Sequence, residues 1–200
     1  METKLTDRQR EILMSAIEII SEHGLEKLTI KRLAHEMGFS EPALYRHFRN
    51  KMSVLNGILD LFYDETMKMH EEINERGLSP CDCVRSFLMD HIKLVSTNKT
   101  YATVIFSEEF FKKKAFLSNV ITEIIDKNKA FLSKSIIKGQ KLSEIRSDIP
   151  PDHLALIILG SIRLLIKKWY NDNFSFDLER ESGNLINSLI LILLKNKSKK

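Results

Sequence analysis

GFSEPALYRHFRNK, residues 38–51, decides how the rest of the chain is read. Gly38 ends whatever helix precedes it. Ser40 suits a helix N-cap, and Pro42 falls in the first turn, where a missing backbone N–H costs little. Tyr45, Arg46, His47 and Phe48 then follow in four consecutive positions. A helix that only had to be buried would not carry so many polar and aromatic tips in so short a run. The stretch predicts a short helix, EPALYRHF, built to touch something.

Upstream, IKRLAHEM with Thr29 as N-cap predicts another short helix. Before it, residues 6–23 read as an amphipathic helix capped by Thr6 or Asp7 and ended by Gly24. Its apolar face is Ile12, Leu13, Ala16, Ile17, Ile19 and Ile20. Two short helices around a Gly-containing turn, behind a longer one, make a helix-turn-helix unit. Leu28, Ile30, Leu33, Ala34, Met37, Phe39, Leu44 and Phe48 are its expected core. Asn50 caps a fourth helix running from Lys51 to about Arg76, and further helices are expected over 81–97, 99–110, 115–142, 151–171 and 178–195. No run of short alternating strands appears. The expected fold is all-α: a three-helix helix-turn-helix DNA-binding domain over 1–50 and a helical ligand-binding and dimerisation domain over 51–200.

Net charge is +4, a mild excess that permits an anionic partner without requiring one. Its location says more. Lys27, Lys31, Arg32, Arg46, Arg49 and Lys51 face only Glu36 and Glu41 in that stretch. Cys81 and Cys83 form a C-x-C pair without a nearby His cluster, a poor zinc site and more simply two reduced thiols. The polar METKLTDRQR carries no signal-peptide pattern, and LINSLILILL is too short to span a bilayer, so a cytoplasmic protein without membrane contact is expected. His70 with Glu71 and Glu75 comes nearest to a metal-ligating set and reads as a solvated face. No Ser-His-Asp set, metal cluster or glycine-rich phosphate loop suggests an enzyme, and no cofactor is expected.

In a helix-turn-helix the second short helix enters the major groove and its first residues reach base edges. Ser40 and the N–H groups at the helix start can meet a phosphate. Glu41 can accept from cytosine, and Pro42 and Ala43 can lie against a thymine methyl. Tyr45, Arg46 and His47 project around the helix. Lys51 points at the backbone, and Thr29 and Lys31 can meet phosphate. The plainer reading keeps Tyr45 as a core residue and His47 as a solvated one.

These residues also carry a resemblance. TIKRLAHEMGFSEPALYRHFRNKMSVL resembles the tetracycline-repressor (TetR) family of bacterial regulators: a threonine opens the second helix, L-A stands at its centre, G-F-S makes the turn, and L-Y-R-H-F and K-M-S-V-L follow. The likeness covers roughly residues 6–55, with a weaker echo in EIRSDIPPDHLALIILGSIRLLIKKW. It implies phosphate contacts at Thr29, Tyr45, His47 and Lys51, and base reading at Lys31, Glu41, Pro42 and Ala43. Glu41 departs from the amide or small residue common there.

The last two expected helices are apolar on more than one face, which calls for a partner as well as a core. A homodimer is the usual answer, with Ile158, Ile162, Leu165, Leu189 and Ile192 as candidate interface residues. The middle helices supply Phe87, His91, Tyr101, Phe106, Phe110 and Phe131, with Trp169 nearby. They are candidates for a mainly apolar pocket, although their spacing also fits plain core packing. The leading expectation is a transcriptional regulator that represses from a palindromic DNA operator and is released by a small apolar or aromatic effector. The alternative is a sensor-free architectural or division-linked DNA-binding protein of the same fold.

Overall fold

The computed structural model describes residues 5–107 and 115–194. Among them the regular structure is helical: α1 (Asp7–His23), α2 (Ile30–Glu36), α3 (Glu41–Tyr45), α4 (Lys51–Glu75), α5 (Pro80–Thr97), α6 (Lys99–Phe106), α7 (Ala115–Lys141), α8 (Pro151–Asn171) and α9 (Leu178–Leu193). A single 3-10 turn, Leu25–Lys27, precedes α2.

The caps are those that the residues dictate. Thr6 and Gln9 close a reciprocal capping box on α1, with bonds of 3.2 and 3.0 Å. Thr29 accepts the Arg32 N–H at 3.0 Å, and Asn50 the Ser53 N–H at 3.0 Å. Gly38 adopts φ 67°, a left-handed turn that a side chain would resist. The third helix is shorter than its sequence suggests. It has five residues, because the His47 N–H bonds back three residues to the Leu44 carbonyl at 3.0 Å and the chain tightens into a turn. That turn leaves Phe48 buried. α6 likewise stops at Phe106.

The chain forms two compact units, Met1–Tyr63 with Lys99–Val120, and Asp64–Asn98 with Ile121–Lys200. In the first, α1, α2, α3 and the start of α4 enclose Ile12, Leu13, Leu28, Leu33, Leu44 and Val54. α1 and α4 meet closely at Gly57, where an added Cβ would stand 2.8 Å from a Leu13 methyl. Met37 and Phe39, expected in this core, are half-buried; the Arg8 guanidinium lies 4.4 Å from the Phe39 ring centre. α6 completes this unit. Its Thr100 hydroxyl donates to the Ile17 carbonyl at 3.3 Å, and its Tyr101 ring packs 4.8 Å from Phe62.

In the second unit α5 packs along α9, and α8 lies against α9. The loop after α7 is fixed by Gln140, whose amide donates to the Arg146 and Ile149 carbonyls at 2.8 and 2.9 Å. Helices α8 and α9 divide their apolar residues between two sides. Ile158, Ile162, Ile166, Ile186 and Leu189 are buried within the chain, whereas Leu156, Ile157, Leu164, Leu191 and Ile192 are exposed.

Candidate nucleic-acid interface and aromatic core

The recognition helix α3 is held by one buried side chain, Leu44. Its other residues are therefore available to a partner. Glu41, Pro42, Tyr45 and Arg46 are exposed, and Ala43 and His47 half-buried. Ser40 caps α3 by accepting the Ala43 N–H at 3.3 Å. A capping hydroxyl spends an acceptor lone pair and keeps its O–H as a donor, so Ser40 and Thr29 can both cap and reach an anion. Thr29 and Lys31 are exposed at the start of α2.

Lys51 behaves differently. It is half-buried, and its ammonium donates to the Leu25 carbonyl at 2.5 Å. Burial pushes its pKa down, and the Glu26 carboxylate opposes that. Arg8 is not among the residues that the sequence singles out. It pairs with Glu11 and covers Phe39 in the turn before α3. Its signal lay in position: the first turn of α1 carries a cation, and an aromatic stands in the turn of the helix-turn-helix.

The expected pocket residues fall in both units. Tyr101 and Phe106 are buried in the first. Phe110 lies outside the described residues. In the second unit Phe87, His91 and Phe131 come together with His70, which is not on the solvated face expected from its neighbours Glu71 and Glu75. His70 is only 8% exposed. Its ring stacks on Phe131 at 4.3 Å, Phe87 stacks on His91 at 5.7 Å, and Phe87 and Phe131 are 5.6 Å apart. The His70 Nε2–H donates to the Asn128 Oδ1 at 2.9 Å. Trp169 is occupied elsewhere, donating its indole N–H to the Phe176 carbonyl at 2.8 Å and meeting Phe174 edge-on. The stripe Phe62, Thr66, Met69, Ile73 runs at helical spacing through His70's neighbours and was the signal for its burial. Beside this core, α4 and α5 also border an open groove of about 460 Å³ crossed by the Arg76–Asp90 ion pair at 2.8 Å. That charged groove suits water, not a lipophilic ligand.

Residues 12–58 match the bacterial regulatory proteins of the tetR family, and residues 59–192 match the C-terminal region of YsiA-like proteins. The chain belongs to the TetR family. It is a DNA-binding transcriptional regulator, and the helix-turn-helix geometry above is its DNA-binding unit. Among its relatives is the nucleoid occlusion factor SlmA of Vibrio cholerae, 23% identical over 86% of this chain and 89% of that protein. Another is the fatty acid metabolism regulator protein of Bacillus subtilis, 21% identical over 90% and 92%. The fold is shared with FadR from Bacillus subtilis in complex with stearoyl-CoA, at TM-score 0.75 and 20% identity over 92% and 98% of the two chains. Among the described residues no helix is long and apolar enough to cross a membrane.

His70 and His91 of this TetR-family regulator are held toward the neutral form. Burial lowers both pKa values; that of His91 falls to about 4, with His70 adding to the shift, while the Asn128 bond partly opposes it at His70. Each group therefore binds its proton more readily in the unfolded chain. The stability that His91 contributes is whole above about pH 6.5 and is lost as pH falls from there toward about 4. A group that charges only on unfolding gives a slope of about 1.4 kcal/mol per pH unit in that window. Urea unfolding at pH 7 and pH 5 should show wild type losing more stability than His91→Phe. Equal losses would remove this role.

Proposed function

We propose that this regulator is a cytoplasmic repressor, without enzymatic activity, that leaves its operator when a lipophilic ligand enters the second unit. Long-chain acyl thioesters and fatty acids are the leading class. The observation that carries this is the aromatic cluster of buried Phe87 and His70 with half-buried His91 and Phe131, whose histidines are held neutral. Such a site favours an apolar chain or ring, whereas a sugar or phosphate would need several buried polar partners. Likeness to a fatty acid metabolism regulator and to a stearoyl-CoA complex supports the same class. Entry requires the stacked rings to part. The ligand can release DNA only by as much as it prefers that opened state.

In this reading Thr29, Ser40, Tyr45, Arg46 and His47 hold phosphates, and Lys31, Glu41, Pro42 and Ala43 read base edges. The regulator acts as a homodimer, as an operator with two half-sites demands. Leu156, Ile157, Leu164, Leu191 and Ile192, exposed in the single chain, are the residues that a second copy would cover.

The test is DNA release. Acyl-CoAs, free fatty acids, aromatic acids and cationic dyes are titrated against the DNA complex, with sugars and nucleotides as controls. Release and a thermal shift confined to the lipophilic set are expected, and Phe87→Ala should weaken them. Release by the polar controls alone would overturn the ligand class. DNA binding that answers to none of them would favour a sensor-free role.

A further inference from the structure

Helix α7 buries a stripe of residues at helical spacing: Ile124, Asn128, Leu132 and Ile136. The others are aliphatic. Asn128 is an amide, only 4% exposed, in a place where a leucine would be buried at less cost. Three positions further on, Phe131 carries the stacked ring of His70. The amide therefore stands at the edge of the aromatic cluster, on the same side of α7.

Its oxygen is already taken. The His70 Nε2–H donates to Oδ1 at 2.9 Å, which fixes the end of the amide that faces α4. An amide carries its donors on the nitrogen, across from that oxygen. With Oδ1 tied to His70, those N–H groups are what Asn128 offers to a ligand that parts the rings. A hydrocarbon has no use for them, whereas a carbonyl oxygen accepts from them. We propose that Asn128 is a ligand-binding residue whose amide nitrogen donates to the acyl carbonyl of the ligand, and that His70 is the positioning residue that holds the amide in that orientation. This role rests on the lipophilic-ligand reading above and narrows it to chains headed by a carbonyl. A carboxylic acid and an acyl thioester both present that oxygen.

Paired compounds isolate the carbonyl. Stearoyl-CoA and the thioether S-octadecyl-CoA differ in that oxygen alone, and stearic acid is set against 1-octadecanol. Binding to the full-length protein is read by calorimetry. Wild type should bind the carbonyl member of one pair about ten-fold more tightly, the yield of a buried hydrogen bond. The pair that shows it tells the thioester from the free acid. Asn128→Leu should bind both members of that pair alike, and His70→Phe should weaken the preference. The double variant His70→Phe/Asn128→Leu leaves neither partner behind, and it serves should Asn128→Leu fail to fold. A wild type that binds both members of each pair equally overturns the proposal and leaves the lipophilic ligand standing. So does a preference that persists in Asn128→Leu or in the double variant, since the pair would then only fasten α7 to α4. Binding of none of these compounds overturns the ligand reading itself, and the proposal with it.

Discussion

Leu164→Glu is expected to give a folded monomer that no longer holds its operator. Leu164 is 69% exposed in the single chain, so the new carboxylate sits in water and the fold survives. In the twofold dimer proposed above a second copy covers the same residue, and the substitution appears twice. An unpaired buried charge costs about 3–5 kcal/mol, enough to abolish association at micromolar concentration. A monomer reaches one half-site only, and specific affinity should fall by about 10³-fold or more. Ile162→Glu is the contrast. Ile162 is 2% exposed within its own chain, and the charge there should unfold the protein itself. Sedimentation and circular dichroism separate the two outcomes. A Leu164→Glu protein that still sediments as a dimer would place the interface elsewhere.

Leu44→Ala is the second substitution of large effect. α3 has five residues, far too few to persist as an isolated helix. It is docked through Leu44, which is fully buried. Truncation should cost about 2–5 kcal/mol in urea unfolding. DNA binding should be lost at temperatures where the remainder is still folded, because Glu41, Tyr45 and Arg46 lose their fixed orientation. Leu44→Met, close in volume, should cost less than about 1.5 kcal/mol and retain binding. If Leu44→Ala bound DNA at wild-type strength, α3 would not be the reading element.

The sequence displayed whatever depends on neighbours along the chain. Thr29, Ser40 and Asn50 announced three caps, Gly38 a turn, and the 3-4 spacing of Ile12, Leu13, Ala16, Ile17 and Ile20 a buried face. It hid whatever depends on which element lies opposite. On α8 and α9 apolar residues go all the way round, so periodicity could not tell Ile162, turned inward, from Leu164, turned out. His70 was obscured by Glu71 and Glu75, which lie on the exposed side of the same helix. The distance from Lys51 to Leu25 was invisible, since nothing in a run of residues shows where a long side chain ends. Composition shows that aromatic residues are plentiful but does not sort them: Tyr101 belongs to one unit and Phe87 to the other.

The α6 helix bears on how the protein is made. Its Thr100 and Tyr101 close the packing around Ile17 and Phe62, so the unit that carries the helix-turn-helix is not a continuous piece of chain. At roughly 5–20 residues per second, the ribosome delivers this last helix some seconds after Phe62. Through that interval the nascent N-terminal segment holds an uncovered apolar surface, and the same surface would burden any fragment cut at residue 63 for use as a portable DNA-binding module. A usable excision has to carry α6 with it, joined by a linker in place of residues 64–98.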